Sequence, residues 1–117
     1  MIKSYKDLLV WQRSMNLVES VYRITEKLPS KEQFGLISQM RRAAVSIPSN
    51  IAERYGRQST GSYAQFLSIA RGSLLELETQ IELCIRIKYI QQIDVEKILN
   101  EIIEINKMLS SLITKIK

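Results

Sequence analysis

The chain contains no histidine. That absence removes Ser-His and Cys-His nucleophile systems, the Glu-x-x-His ligands of di-iron bundles and the usual zinc sites. One cysteine, Cys84, cannot form an internal disulfide, which fits a reducing cytoplasm. Glycine and proline are scarce, four and two residues, and the one clear loop is Gly56 to Gly61 (GRQSTG). Those two glycines are too sparse for a phosphate loop and lack a following Lys-Ser/Thr. No apolar run approaches the roughly 20 residues that cross a bilayer, and MIKSYKDLLVWQRS lacks a signal-peptide core with a cleavage site. The expectation is a cytoplasmic protein away from membranes, with no enzymatic activity, metal or cofactor.

What is present is periodic. Apolar residues make up 45% and charged residues 25% of the 117-residue chain, a globular balance sufficient for one domain over residues 1–117. A first helix is predicted from about Asp7 to Lys27, with one stripe through Leu8, Trp11, Met15, Val18 and Tyr22. A neighbouring stripe runs through Leu17, Val21, Ile24 and Leu28. Leu28-Pro29 ends it. Ser30 then reads as an N-cap, with Gln33 completing a capping box for helix two.

Helix two carries Ile37, Met40, Ala44, Ile47 and Ile51 at spacings of 3 and 4, and keeps that register through Pro48. Pro48 removes a backbone donor and crowds the carbonyl of Ala44, so a kink is expected, repaired locally by Ser46, Ser49 or Asn50. Gly56 is expected to take the left-handed position that closes the helix. Helix three carries Tyr63, Leu67, Ala70, Leu74, Leu77, Ile81 and Cys84 and reaches about Lys88. Gly72 inside it points to close approach of another helix, at Ala43 or Ala44. Asp94 reads as the N-cap of helix four, whose stripe is Val95, Ile98, Ile102, Ile105, Leu109, Leu112 and Ile116. No segment alternates with period two. Four such helices with short connections predict an all-α, antiparallel up-down-up-down bundle. Leu99, Ile103 and Ile113 add a second apolar edge to helix four, more than one core stripe needs, which points to self-association.

Charge locates the candidate site. Residues 1–57 hold ten Lys/Arg against five Asp/Glu, and residues 58–117 hold seven of each, so the whole net +5 lies in the first half. An anionic partner, nucleic acid first, fits that imbalance, as does an ordinary lysine-rich surface. Arg41, Arg42, Arg54 and Arg57 are the candidate phosphate contacts, beside Tyr55, which could stack on an unpaired base. The structural alternative pairs Arg57 with Glu53 and leaves Arg54 favouring the negative end of the helix dipole. Glu76, Glu78 and Glu82 read as a solvated face, with Glu82 placed to pair with Arg86.

Several ordered blocks agree with a known family. Asp7-Leu8, Val10-Trp11-Gln12, Gln39 with Arg41-Arg42-Ala43-Ala44, Ser46-Ile47-Pro48 with Asn50-Ile51-Ala52-Glu53, then Phe66-Leu67, Ala70, Gly72-Ser73 and Glu76-Leu77-Glu78-Thr79 carry the likeness. Over residues 5 to 90 the chain resembles the four-helix-bundle proteins encoded in intervening sequences of bacterial large-subunit ribosomal RNA genes. The resemblance implies a bacterial protein and a homopentameric ring. A related branch, the accessory variability proteins of diversity-generating retroelements, implies association with nucleic acid or with a reverse-transcriptase-like partner. Two functional readings result: an RNA-binding oligomer, or a protein–protein adaptor ring. The family pattern Asn-Ile-Ala-Glu-Gly is broken here, where Arg54 stands in place of its glycine.

Overall fold

Wherever the sequence spaces apolar residues by threes and fours, the chain is helical. The computed structural model describes residues 3–56 and 60–116. It contains α1 (Leu9–Thr25), α2 (Leu36–Gly56), α3 (Thr60–Arg86) and α4 (Gln92–Ile116), with 3-10 turns at Tyr5–Asp7 and Ser30–Glu32 and no strand among the described residues. The envelope is 43 × 25 × 23 Å, and its long axis matches the roughly 40 Å that 27-residue α3 spans at 1.5 Å per residue.

Each helix packs on two others: α1 and α3 both lie against α2 and α4, while the diagonal pairs do not approach closely. Contacts run in opposite order along neighbours. Met40 meets Cys84 and Ser46 meets Ser73, while Arg13 pairs with Glu101 and Lys27 with Asp94. The core between them is the one the heptads specify: Ile37, Met40, Ala44, Ile47 and Ile51 from α2, with Leu67, Ala70, Leu74, Leu77, Ile81 and Cys84 from α3. The α4 stripe from Val95 to Leu109 completes it. Burial pushes the Cys84 thiol up to about 11, so it is an apolar filler beside Met40 and not a nucleophile near neutral pH.

Several local readings change. In α1 the buried stripe is Val10, Ser14, Leu17, Val21 and Ile24. The stripe through Trp11, Met15, Val18 and Tyr22 is only half-buried or exposed, because it forms the flank towards α2. Ser14 fits the core because its hydroxyl donates to the Val10 carbonyl at 2.7 Å.

The capping box is at the N-terminus, where Ser4 and Asp7 close the first turn, and not at Ser30. Pro29 precedes the second 3-10 turn without a side-chain cap, and the Glu32 carboxylate caps α2 by accepting from the Leu36 amide at 3.1 Å. A Cβ on Gly35 would sit 2.6 Å from that carboxylate oxygen, so a side chain there would displace the capping carboxylate.

Gly56 ends α2 without a positive φ. The left-handed residue is Lys88, φ 68°, at the end of α3. There the Tyr89 amide donates to the Cys84 carbonyl and the Lys88 amide to the Ile85 carbonyl, the paired bonds of a Schellman cap. Asp94 is not the N-cap of α4. It lies inside the first turn and reaches back to accept from the Gln91 amide at 2.9 Å. Thr60 and Gly61 belong to α3, which shortens the expected loop; its remaining residues 57–59 lie outside the described residues.

α2 continues helically through Pro48. Asn50 donates to the Ser46 carbonyl at 2.8 Å and to its hydroxyl at 3.0 Å, and that hydroxyl meets Ser73 of α3 at 2.8 Å. The polar residues around the proline therefore also stitch α2 to α3. Gly72 does not serve close packing within the chain: it is exposed and a Cβ there would meet nothing within 4 Å.

Candidate nucleic-acid interface

Arg41, Arg42 and Arg54 share α2 but not a face. At 100° per residue the buried side of α2, centred near Ile47 and Ile51, has Arg41 on one flank and Arg54 on the other, with Arg42 facing away. About 18 Å of helix rise separates Arg42 from Arg54.

Arg41 is committed to the fold. Its Nε donates to the Thr25 hydroxyl at 2.9 Å and its terminal nitrogen to the Tyr22 carbonyl at 3.3 Å, with the guanidinium 4.5 Å from the Tyr22 ring centroid. It thus closes the C-terminal end of α1, where backbone carbonyls lack helical partners. Thr25 is itself buried and donates back to the Val21 carbonyl, so this corner is a satisfied network.

Arg42 is exposed. Arg54 is half-buried, its guanidinium 5.2 Å from the Tyr63 ring centroid and its Nε shielded without a hydrogen-bond partner. The arginine that departs from the family glycine therefore packs on the first turns of α3, which holds its charge at the α2–α3 junction. Tyr55 is 37% exposed beside it. Arg57 lies outside the described residues.

Sequence position hid other cations. Lys3 and Lys6 precede α1, and Lys107 and Lys115 lie near the end of α4. Leu8, Leu9 and Val10 share a groove with Lys107, Met108 and Leu112, which sets the start of α1 beside the end of α4. Tyr5 and Trp11 line a groove with Pro48, Ser49 and Ala52, which places the same start beside the end of α2. Only folding joins these basic residues, and the usable signal is that the two chain ends each carry lysines.

The acidic run on α3 is not tied internally. Among the described residues the ion pairs are Arg13 with Glu101, Lys27 with Asp94 and Glu104 with Lys107, and the expected pair of Glu82 with Arg86 does not form. No group of three metal-ligating side chains converges among the described residues, and no helix is long and apolar enough to cross a membrane.

Fold and surface together define a small, basic, four-helix-bundle protein. Within that class, the chain belongs to the 23S rRNA-intervening sequence protein family, whose model matches residues 6–111 and so extends well into α4. It is similar to a crystal structure of a protein of unknown function from the S23 ribosomal protein family of Bacteroides thetaiotaomicron. That match is 32% identical, with a TM-score of 0.82, and covers 90% of this chain and 98% of that one. No curated protein matches this chain.

Proposed function

We propose that this chain is a non-enzymatic, self-associating helical bundle that binds RNA or another nucleic acid through the basic end of the molecule. The order of contacts fits the up-down-up-down topology, which brings the start of α1, the end of α2, the start of α3 and the end of α4 together. The observation that carries the reading is the charge at that end. Lys3, Lys6, Arg54, Lys107 and Lys115 gather there, whereas of the chain's twelve carboxylates only Asp7 and Glu53 lie well inside that half. Glu104 stands at its boundary, paired with Lys107. Asp7 is engaged by the backbone amides of Lys3 and Ser4. Such a field attracts a phosphate backbone, and Tyr55 offers a ring for stacking. In a closed ring of five subunits, as the family resemblance implies, each weak patch is repeated and gains avidity. A bacterial cytoplasm is the setting this reading assumes.

Binding of the purified protein to structured RNA, single strands and duplex DNA across a salt series tests it. Log affinity should fall linearly with log salt. Lys3→Glu, Lys6→Glu and Arg54→Glu combined should flatten the slope by about 1 for each phosphate that the protein no longer neutralises. Absence of binding at low salt, or a slope untouched by the triple change, refutes this site.

A second reading rests on apolar exposure. Phe34 is 94% and Ile93 69% exposed, at the end opposite Lys3, Lys6 and Lys115. An adaptor that docks a protein partner, such as a reverse-transcriptase-like enzyme, would use such residues and would retain partner binding in the triple variant.

A further inference from the structure

The groove between α1 and α2 stays open because the two helices bring walls of unequal height. Trp11, Met15 and Val18 come from α1, whereas α2 answers with the smaller Pro48, Ser49 and Ala52, and about 350 Å³ is left between them. The indole is half-buried and Met15 is 39% exposed, so apolar surface here faces solvent. Tyr5 closes the end nearest the N-terminal lysines. Its ring meets Trp11 edge to face, with centroids 5.4 Å apart and planes at 71°. The turn that carries it is fixed twice: Ser4 and Asp7 cap it, and the Gln12 side-chain amide donates to the Lys6 carbonyl at 2.9 Å. A ring already held in place loses little freedom when a ligand stacks on it.

Cations stand at both ends of this groove. Lys6, exposed, follows Tyr5 directly. Arg42, also exposed, stands one turn before Val45, about 15 Å of helix rise from Ala52. Among the described residues that line the groove, none is charged and none is an amide. Such a lining grips the flat face of a ring and reads little of its edge, while the flanking cations attract negative charge on either side.

We infer that this groove takes an unpaired base of a single-stranded nucleic acid, stacked against Tyr5, Trp11 and Pro48, with the neighbouring phosphates at Lys6 and Arg42. Paired bases are stacked on one another and cannot enter, so the groove separates single strands, loops and bulges from continuous duplex. With few contacts to base edges, it discriminates weakly among the bases. This deepens the nucleic-acid reading proposed above and rests on it, naming which form of nucleic acid is held and where.

Trp11 is the chain's single tryptophan, so its emission reports on this groove alone. A single-stranded oligonucleotide of mixed sequence, titrated at low salt, should quench that emission. A blunt duplex of the same length should bind without quenching it. Tyr5→Ala should weaken single-strand binding about 5- to 100-fold, the worth of one stacked base, and Tyr5→Phe should not. Arg42→Ala should reduce the single-strand salt slope by about 0.7 and leave the duplex slope alone. Because Tyr5→Ala also disturbs the turn that carries Lys6, Ala52→Leu is the deciding variant. It fills the groove from the opposite wall without touching the lysines, and should weaken single-strand binding while duplex binding holds. Absence of binding to any nucleic acid at low salt sinks both this inference and the reading beneath it. Salt-dependent binding with unchanged Trp11 emission overturns the groove alone, as does an Ala52→Leu chain that loses single strand and duplex alike, or neither. An unaltered affinity in Tyr5→Ala or an unaltered slope in Arg42→Ala does the same. So does Trp11 emission that shifts with protein concentration yet ignores the oligonucleotide, which would put a second copy of the chain in the groove.

Discussion

The two ends of this bundle handle their polar groups in opposite ways. At the end that holds the α1–α2 and α3–α4 connections, side chains are bonded to one another. Glu32 accepts from the Leu36 amide and from the Tyr89 hydroxyl at 2.8 Å, Asp94 accepts from Gln91, and Lys27 reaches Asp94 at 3.5 Å. Opposite carboxylates and cations cancel, and two turns distant in sequence are tied together. At the other end the cations outnumber the carboxylates, and Lys3, Lys6 and Lys115 are exposed. Charge used for cohesion is not available for recognition. The difference teaches where each task falls: the tied end holds the helices in register, and the basic end presents exposed cations, as the proposed binding of nucleic acid requires.

The comparison breaks most sharply at Gly35. Gly35→Ala places a methyl group against the Glu32 carboxylate, which must swing away from both Leu36 and Tyr89. Loss of the α2 cap and of the link to the α3–α4 turn should lower the melting temperature by roughly 5–10 °C. Binding of nucleic acid at the far end, measured well below the transition, should not change. A drop in affinity equal to that of the triple variant at the basic end would show that the two ends do not divide the work.

The neighbouring pair Arg41 and Arg42 tests the same division within one helix. Arg41→Ala deletes two hydrogen bonds and a ring contact that close α1, and should cost about 1–1.5 kcal/mol in chemical denaturation. Arg42→Ala removes an exposed side chain and should stay within about 0.5 kcal/mol of the parent. The contrast also marks what is legible in the sequence. Helix number, the α2 and α3 cores and the place of Cys84 follow from spacing alone, since a 3.6-residue period admits few arrangements.

Which arginine is structural does not follow, because adjacent residues differ by 100° of rotation and only the position of Tyr22 and Thr25 decides. The α1 stripe misleads for a similar reason: two adjacent apolar stripes are equally periodic, and the aromatic-rich one lies at the α2 flank. The cap of α2 is hidden because Glu32 lies four residues before Leu36 across a 3-10 turn, outside the capping-box spacing that Ser30 offers. The full set of basic residues at one end depends on tertiary contacts between the two chain ends.

Lys88 sharpens the tied end in the stabilising direction. Its φ of 68° places a side-chain-bearing residue in the left-handed region, which favours glycine. Lys88→Gly should therefore raise stability by about 0.5 kcal/mol, the relief of backbone strain exceeding the added freedom of the unfolded chain. A loss of stability would mean that the lysine side chain makes a contribution larger than that strain.

The smallest effect is the pH response of the tied end, and its sign is fixed by two groups on one hydrogen bond. The Leu36 amide, then the Tyr89 hydroxyl, hold the Glu32 carboxyl below the usual glutamate range. A carboxyl lowered by folding adds stability that is complete above its unfolded value, near pH 4.3, and is lost as pH falls through the lower folded one. Asp94, lowered first by the Gln91 amide, behaves alike. Tyr89 is raised, chiefly by its bond to Glu32. Its contribution is complete below its unfolded value, near pH 10, and disappears as pH climbs through the raised one. The tie should thus hold across the neutral range and loosen at both extremes. Hydrogen exchange at the Leu36 and Gln91 amides should show it first, with protection falling below about pH 4 while amides in the middle of α3 remain protected. Tyr89→Phe should abolish the alkaline loss and leave most of the acid one, since the Leu36 amide still favours the ionised carboxylate. An acid response that vanished with Tyr89→Phe would assign the cap to the tyrosine instead of the backbone.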